Sequence, residues 1–120
     1  MSGRVLLLVP GAAVPVDAAI PDACSLVRWG VADDVVRALA SIEDGIVAVV
    51  LASDGLRAED LPPVIEAARR CPVPVVEVRG AQWDGFERLE LARACKGVVS
   101  GFGVEAVPAV AAVLAAQAAG

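Results

Sequence analysis

Short apolar runs alternate along this chain with segments in which apolar residues recur every three or four positions. Runs of the first kind are typical of strands buried in a sheet, and segments of the second kind are typical of helices that cover a sheet. The predicted strands are Arg4–Val9, Cys24–Trp29, Ile46–Ala52, Val73–Arg79 and Val98–Ser100. The alternation predicts a parallel sheet with helices packed on it.

The segments with helical spacing begin and end at recognisable capping residues. The predicted helices are Asp33–Ile42, a helix that starts near Asp60 with Leu61, Val64, Ile65 and Ala68 on its inner face, a short helix from the capping sequence Asp84–Glu87 to Ala94, and Val107–Gln117. Gly45 is predicted to end the first helix in a left-handed conformation. The last helix is apolar nearly all round, so a partner subunit is expected to cover its outer side.

Composition narrows the possible partners. Hydrophobic residues make up 58% of the 120 residues and aromatic residues only 3%, so the apolar excess consists of small aliphatic side chains. Such an excess on one domain favours burial between copies, and we expect a homo-oligomer. The net charge of −5, with no cluster of basic residues, argues against nucleic acid. No apolar run is long enough to span a membrane, and the short run Arg4–Val9 does not resemble a signal peptide.

The cysteines and one glycine-rich segment could suggest a metal site and a nucleotide site, but the sequence favours neither. Cys24, Cys71 and Cys95 are widely spaced, and we expect reduced core thiols in a cytoplasmic protein, with no metal site and no cofactor. The segment Gly101–Ala106 fits the glycine pattern of dinucleotide-binding loops. That pattern belongs on a first strand with an acidic residue well downstream, so a tight turn before the last helix is the favoured interpretation.

Three segments, Gly45–Val47, Val73–Arg79 and Gly97–Gly103, resemble those of the type II dehydroquinases, dehydratases of the shikimate pathway. In that family the second segment ends in a catalytic histidine, and a tyrosine on a lid loop abstracts the proton. Here Arg79 stands at the histidine position, and the chain contains neither histidine nor tyrosine. The resemblance, which runs from Gly45 to Ala116, therefore implies the family's fold and argues against its reaction.

The fold expected from this resemblance is a three-layer, flavodoxin-like, doubly wound α/β sandwich. Its sheet would have five parallel strands in the order 2-1-3-4-5, and residues 1–120 would form a single domain. The family assembles trimers into dodecamers, so a trimer-based homo-oligomer is implied here.

The resemblance also implies a substrate site beyond the fourth strand. Its expected substrate-binding residues are Arg79, Gly80, Ala81, Gln82, Trp83 and Arg88. Arg79 and the following backbone amides would hold a carboxylate, with Trp83 against the ligand. Structural alternatives stay open for both side chains. Arg79 could instead pair with Glu77 on the same strand face or contact another subunit, and Trp83 could pack in the core or at an interface.

Asp54 and Glu105 are the candidate catalytic groups, since each follows a predicted strand and carries a carboxylate that could move a proton. Both are also typical turn residues, which is the alternative interpretation. Two functions are compatible with these features. One is a small lyase, isomerase or cyclase that acts on a relatively apolar, carboxylate-bearing metabolite. The other is a non-catalytic homo-oligomer that serves as a scaffold or regulatory partner.

Overall fold

Five parallel strands form one sheet in the computed structural model, which describes residues 3–11, 22–79, 95, 97–100 and 107–119. The strands are β1 (Arg4–Pro10), β2 (Cys24–Trp29), β3 (Ile46–Ala52), β4 (Val75–Arg79) and β5 (Gly97–Ser100). Their order across the sheet is β2-β1-β3-β4-β5, and each neighbouring pair is parallel. The predicted α/β class with a parallel sheet is confirmed.

Helices lie on both faces of this sheet. The described helices are α1 (Ala32–Ala40), α2 (Leu61–Arg70), which follows a short 3₁₀ turn, and α3 (Val107–Ala119). α1 and α2 pack together on one face, and α3 packs on the other. None of these described helices is long and apolar enough to cross a membrane.

Alternating side chains of the central strands divide the core into two layers, as the period of two along a strand requires. On the α1–α2 face, Leu8, Val49 and Leu51 pack against α1 and α2. On the α3 face, Leu7 and Val50 pack with buried residues of α3. Strands β1 and β3 are therefore buried on both sides, which explains their continuous apolar sequences.

Gly45 adopts the left-handed conformation expected of it but does not cap a helix, so that part of the prediction was wrong. α1 ends earlier, at Ala40, with Ser41 as its C-cap. Gly45 has a φ of +95° inside a turn in which the backbone N–H of Ile46 donates to the carbonyl of Glu43 over 3.2 Å. The turn then leads directly into β3.

Proline explains where β4 begins. The strand was predicted from Val73 but begins at Val75. Pro74 has no N–H to donate, although its carbonyl still accepts a hydrogen bond of 2.9 Å from the backbone N–H of Val49. In α2, Pro62 and Pro63 occupy the first turn, where a missing N–H costs least. The helix predicted over Asp84–Ala94 lies outside the described residues.

Candidate functional site

A cluster of buried polar side chains lies at the carboxyl ends of the adjacent strands β3 and β4. Ser53, Glu77 and Arg79 are all 0% exposed, and they are the buried polar residues of the part of the chain that the structure describes. We refer to them as the Ser53–Glu77–Arg79 cluster. The carboxyl edge of an open parallel sheet is where ligands bind in this class of fold.

The cluster is organised around the carboxylate of Glu77. Arg79 donates from Nε to Glu77 Oε2 over 3.0 Å and from Nη2 to Glu77 Oε1, which gives a two-point contact. The hydroxyl of Ser53 donates to the same Oε2 atom. One positive and one negative charge are thus buried together, with hydrogen bonds that offset part of their loss of hydration.

Strand geometry brings these residues together. Glu77 and Arg79 are two apart in β4, so both point to the α1–α2 face. Leu51 is the register partner of Glu77, and the backbone N–H of Ser53 donates to the carbonyl of Val78 over 3.0 Å. Ser53 therefore continues the ladder past the last residue of β3, with its hydroxyl within reach of Glu77.

A tight turn follows Ser53 at once. The backbone N–H of Leu56 donates to the carbonyl of Ser53 over 3.1 Å, and Gly55 has a φ of +99°. Asp54 lies in this turn and is half-buried. The local structure is the Ser-Asp-Gly turn that the sequence predicts, and the role of Asp54 as a base stays a prediction.

Trp29, at the end of β2, supports the same turn from its other side. Its indole N–H donates to the carbonyl of Ala52 over 3.2 Å, and a Cβ built on Gly55 would lie 3.4 Å from the Trp29 ring. The carbonyl of Trp29 accepts a hydrogen bond of 2.8 Å from the backbone N–H of Gly11. Trp29 thus links the ends of β1 and β2 through its backbone carbonyl and the end of β3 through its buried indole.

Cys95 lies close enough to the cluster for its titration to be affected. Burial raises the pKa of the Cys95 thiol to about 12, and the negative charge of Glu77 adds to the increase while Arg79 opposes it. A thiol with such a pKa stays protonated at neutral pH, so Cys95 is a poor nucleophile. All three cysteines are free thiols.

The structure locates only part of the predicted site. Arg79 and Asp54 are described, at the ends of neighbouring strands. The other predicted residues lie outside the described residues, namely Gly80, Ala81, Gln82, Trp83, Arg88 and Glu105. Ser53 had no role assigned from the sequence, although its position directly after a buried strand marked it as a residue of this edge.

The cluster can hold and orient a guanidinium, but it has no obvious acid–base catalyst. Arginine stays protonated at physiological pH, and the Glu77 carboxylate already accepts three hydrogen bonds, one from Ser53 and two from Arg79. Over the described residues, no group of three or more cysteine, aspartate or glutamate side chains could hold a metal ion. No protein-family model matches this chain, and no curated protein matches it.

Proposed function

We propose that the protein is a diverged dehydroquinase-like enzyme, a lyase, isomerase or cyclase, that binds a small carboxylate at the carboxyl edge of a flavodoxin-like sheet. The observation that carries this proposal is the position of the Ser53–Glu77–Arg79 cluster. It lies where two central strands end, at the edge where open parallel sheets bind ligands. A buried, charged group is costly to keep, and functional sites are where such groups concentrate.

In this proposal Glu77 and Ser53 orient the guanidinium of Arg79, as second-layer groups do in other binding sites. Arg79 and the backbone amides of Gly80 and Ala81 hold the carboxylate, Gln82, Trp83 and Arg88 complete the pocket, and Asp54 or Glu105 moves the proton. Dehydration of dehydroquinate is excluded from the proposal, because the chain has no histidine or tyrosine for it. The free thiols fit a cytoplasmic protein.

Thermal unfolding in the presence of a panel of small cyclic and acyclic carboxylates tests this function. A ligand that binds only the folded state raises the unfolding temperature, and we expect a rise of several degrees for at least one carboxylate. Because Arg79→Ala alone would leave Glu77 buried without its cation, the informative variant is the double substitution Glu77→Gln with Arg79→Met. Its response should vanish, whereas Arg37→Met, which removes an exposed arginine paired with Asp33, should respond like the natural chain.

A carboxylate response that persists in the double variant would place the ligand elsewhere and would contradict the proposed site. A flat response to the whole panel would instead favour the second candidate function, a non-catalytic scaffold or regulatory partner. One observation supports that alternative: Arg79 is fully buried and turns two of its N–H groups inward to Glu77, as in a purely structural ion pair. In that case neutralising both residues should leave the assembly state of the protein unchanged.

A further inference from the structure

The indole of Trp29 crosses the end of one strand to reach another. Trp29 is the last residue of β2, which lies at the edge of the sheet, and its register partner on the neighbouring strand β1 is Pro10. Its indole N–H nevertheless donates to the carbonyl of Ala52 in β3, over 3.2 Å, and Trp29 is only 5% exposed. A buried tryptophan needs an acceptor for its N–H, and here that acceptor is a backbone group of a central strand.

Pro10 explains why the carbonyl of Ala52 takes a donor from a side chain. In a parallel sheet, successive residues of a strand turn their backbone N–H groups to opposite neighbours. The N–H of Gly11 donates to the carbonyl of Trp29 in β2, so the backbone nitrogen of Pro10 is turned towards β3. The register of β1 with β3 brings that nitrogen beside the carbonyl of Ala52. Because proline has no N–H, the ladder bond cannot form there, and the indole N–H takes its place.

The bond from Trp29 fixes the backbone directly before Ser53. The carbonyl of Ala52 and the N–H of Ser53 belong to one planar peptide group. This group accepts from the indole on one side, and on the other side the N–H of Ser53 donates to the carbonyl of Val78 over 3.0 Å. Bonds on both sides of the strand prevent rotation of the plane, and the plane sets the direction of the Ser53 side chain. The hydroxyl of Ser53 then reaches Glu77 Oε2.

We propose that Trp29 is a positioning residue for the Ser53–Glu77–Arg79 cluster. Through the peptide group between Ala52 and Ser53 it orients the Ser53 hydroxyl, which together with Arg79 fixes the carboxylate of Glu77. Glu77 in turn holds the guanidinium of Arg79 in place for a bound carboxylate. This last step rests on the proposed function, whereas the ordering of the cluster does not.

The NMR signal of the Arg79 Nε–H group tests the ordering without a ligand. This group donates to Glu77 Oε2 over 3.0 Å, and the double variant Glu77→Gln with Arg79→Met identifies its signal, because only that signal is lost. Trp29→Phe keeps an aromatic ring in the core but has no N–H. We expect a shifted signal whose exchange with water is faster by roughly tenfold, the effect of losing one buried hydrogen bond.

Binding of a carboxylate that stabilises the natural chain tests the last step. Trp29→Phe should weaken this binding by roughly tenfold, because the guanidinium is less well ordered. Val5→Ala is the control for a general loss of core packing, since Val5 is 0% exposed and lies on the α3 face of the sheet. It should change neither the Arg79 signal nor the affinity.

Pro10→Ala offers a rescue that ordinary packing of the Trp29 ring would not predict. The substitution restores a backbone N–H at the position turned towards β3, where it can donate to the carbonyl of Ala52. The double variant Pro10→Ala with Trp29→Phe should therefore recover both the Arg79 signal and the carboxylate affinity of the natural chain. Pro10→Ala alone should resemble the natural chain in both measurements.

The outcomes separate this proposal from the proposed function. If the Arg79 signal changes no more in Trp29→Phe than in Val5→Ala, the indole N–H does not position the cluster and the proposal is overturned. A double variant that behaves like Trp29→Phe, or that circular dichroism shows to be unfolded, also overturns it, since the restored N–H should replace the indole. A natural chain that no carboxylate stabilises would contradict the proposed function alone, because the Arg79 signal still decides the role of Trp29.

Discussion

Glu77 and Arg79 lie on the same face of β4, and the carboxylate of Glu77 accepts hydrogen bonds from both Nε and Nη2 of Arg79. Both side chains are 0% exposed. Two buried charges in such contact contribute little net stability, because their attraction mainly offsets the cost of removing them from water. Removal of one partner is a different matter, because the other charge then stays buried without its counterion.

Arg79→Met should therefore lower the free energy of unfolding by about 3–5 kcal/mol. The double substitution Glu77→Gln with Arg79→Met should recover most of that loss, because no charge is left unpaired. Urea denaturation with linear extrapolation measures both values. Arg37→Met provides the control, since it breaks an exposed pair with Asp33 and should change the stability by less than about 1 kcal/mol. A double variant as unstable as Arg79→Met would contradict the prediction.

The hydroxyl of Ser53 should matter more than its size suggests. Ser53→Ala removes a buried hydrogen bond to the charged carboxylate of Glu77, and we expect a loss of about 1.5–3 kcal/mol in the free energy of unfolding. Ser25 offers a matched comparison, because its hydroxyl accepts a hydrogen bond of 3.1 Å from Arg4 at the surface. Ser25→Ala should stay within about 0.5 kcal/mol of the natural chain. Equal effects in chemical denaturation would show that burial of the Ser53 bond adds nothing.

Gly55 and Gly45 form a second matched pair. Both have a left-handed φ, of +99° and +95°, so alanine at either position should cost about 1–2 kcal/mol. A Cβ at Gly55 would also meet the Trp29 ring at 3.4 Å, whereas nothing lies within 4 Å at Gly45. That distance is an ordinary van der Waals contact, so Gly55→Ala should be about as destabilising as Gly45→Ala, but it alone should change the fluorescence of Trp29. A Trp83→Phe background leaves Trp29 as the sole indole for this measurement.

Two results would contradict the prediction for the glycine variants. If both glycine variants change the Trp29 emission equally, the ring does not report contact with the turn after β3. If neither substitution destabilises the protein, the two turns do not depend on a left-handed residue.

The titration of the Cys95 thiol should lower the free energy of unfolding at alkaline pH. Burial raises the pKa of its thiol from 9.0 to about 12, with a further contribution from Glu77, so the folded state retains a proton that the unfolded state loses. The contribution of this raised pKa to the free energy of unfolding is fully present below about pH 9 and is lost as the pH rises from there towards 12. The slope from this group is at most about 1.4 kcal/mol per pH unit.

Urea denaturation between pH 8 and 11 measures this slope, and the chain suits the experiment because it has no tyrosine. Cys95→Ala should flatten the decline, whatever its effect on stability at neutral pH. The burial of Cys24 also raises its pKa, so a smaller slope should remain in that variant. An unchanged slope in Cys95→Ala would mean that Cys95 titrates in the folded protein as it does in the unfolded chain.

Much of the fold could be predicted from the sequence because buried strands appear in it as short runs of apolar residues. Cys24–Trp29 and Ile46–Ala52 were predicted with the ends that the structure shows. The end of α1 was predicted less well, because a glycine such as Gly45 adopts a left-handed conformation both in helix caps and in turns. The first residue of β4 depended on Pro74, whose missing N–H removes a ladder bond but does not alter the apolar pattern.

The candidate site was predictable only in part. Side chains alternate between the two faces of β4, so the sequence alone places Glu77 and Arg79 on the same face. The contribution of Ser53 depends on the register between β3 and β4, with Leu51 opposite Glu77, and no periodicity within one strand determines that register. The support from Trp29 likewise depends on the order of strands across the sheet.

The parallel sheet also has a consequence for how the chain folds. In the pairings that the structure describes, Val5 lies opposite Cys24 and Leu8 opposite Leu51, so every partner of β1 is distant in sequence. Parallel strands cannot begin as a hairpin, and each pairing requires closure of a long loop. Folding should thus be slower than in a helical bundle of similar length. During synthesis, β1 must wait for β3 to emerge before its second edge is paired, and until then that apolar edge is open to pairing with other chains.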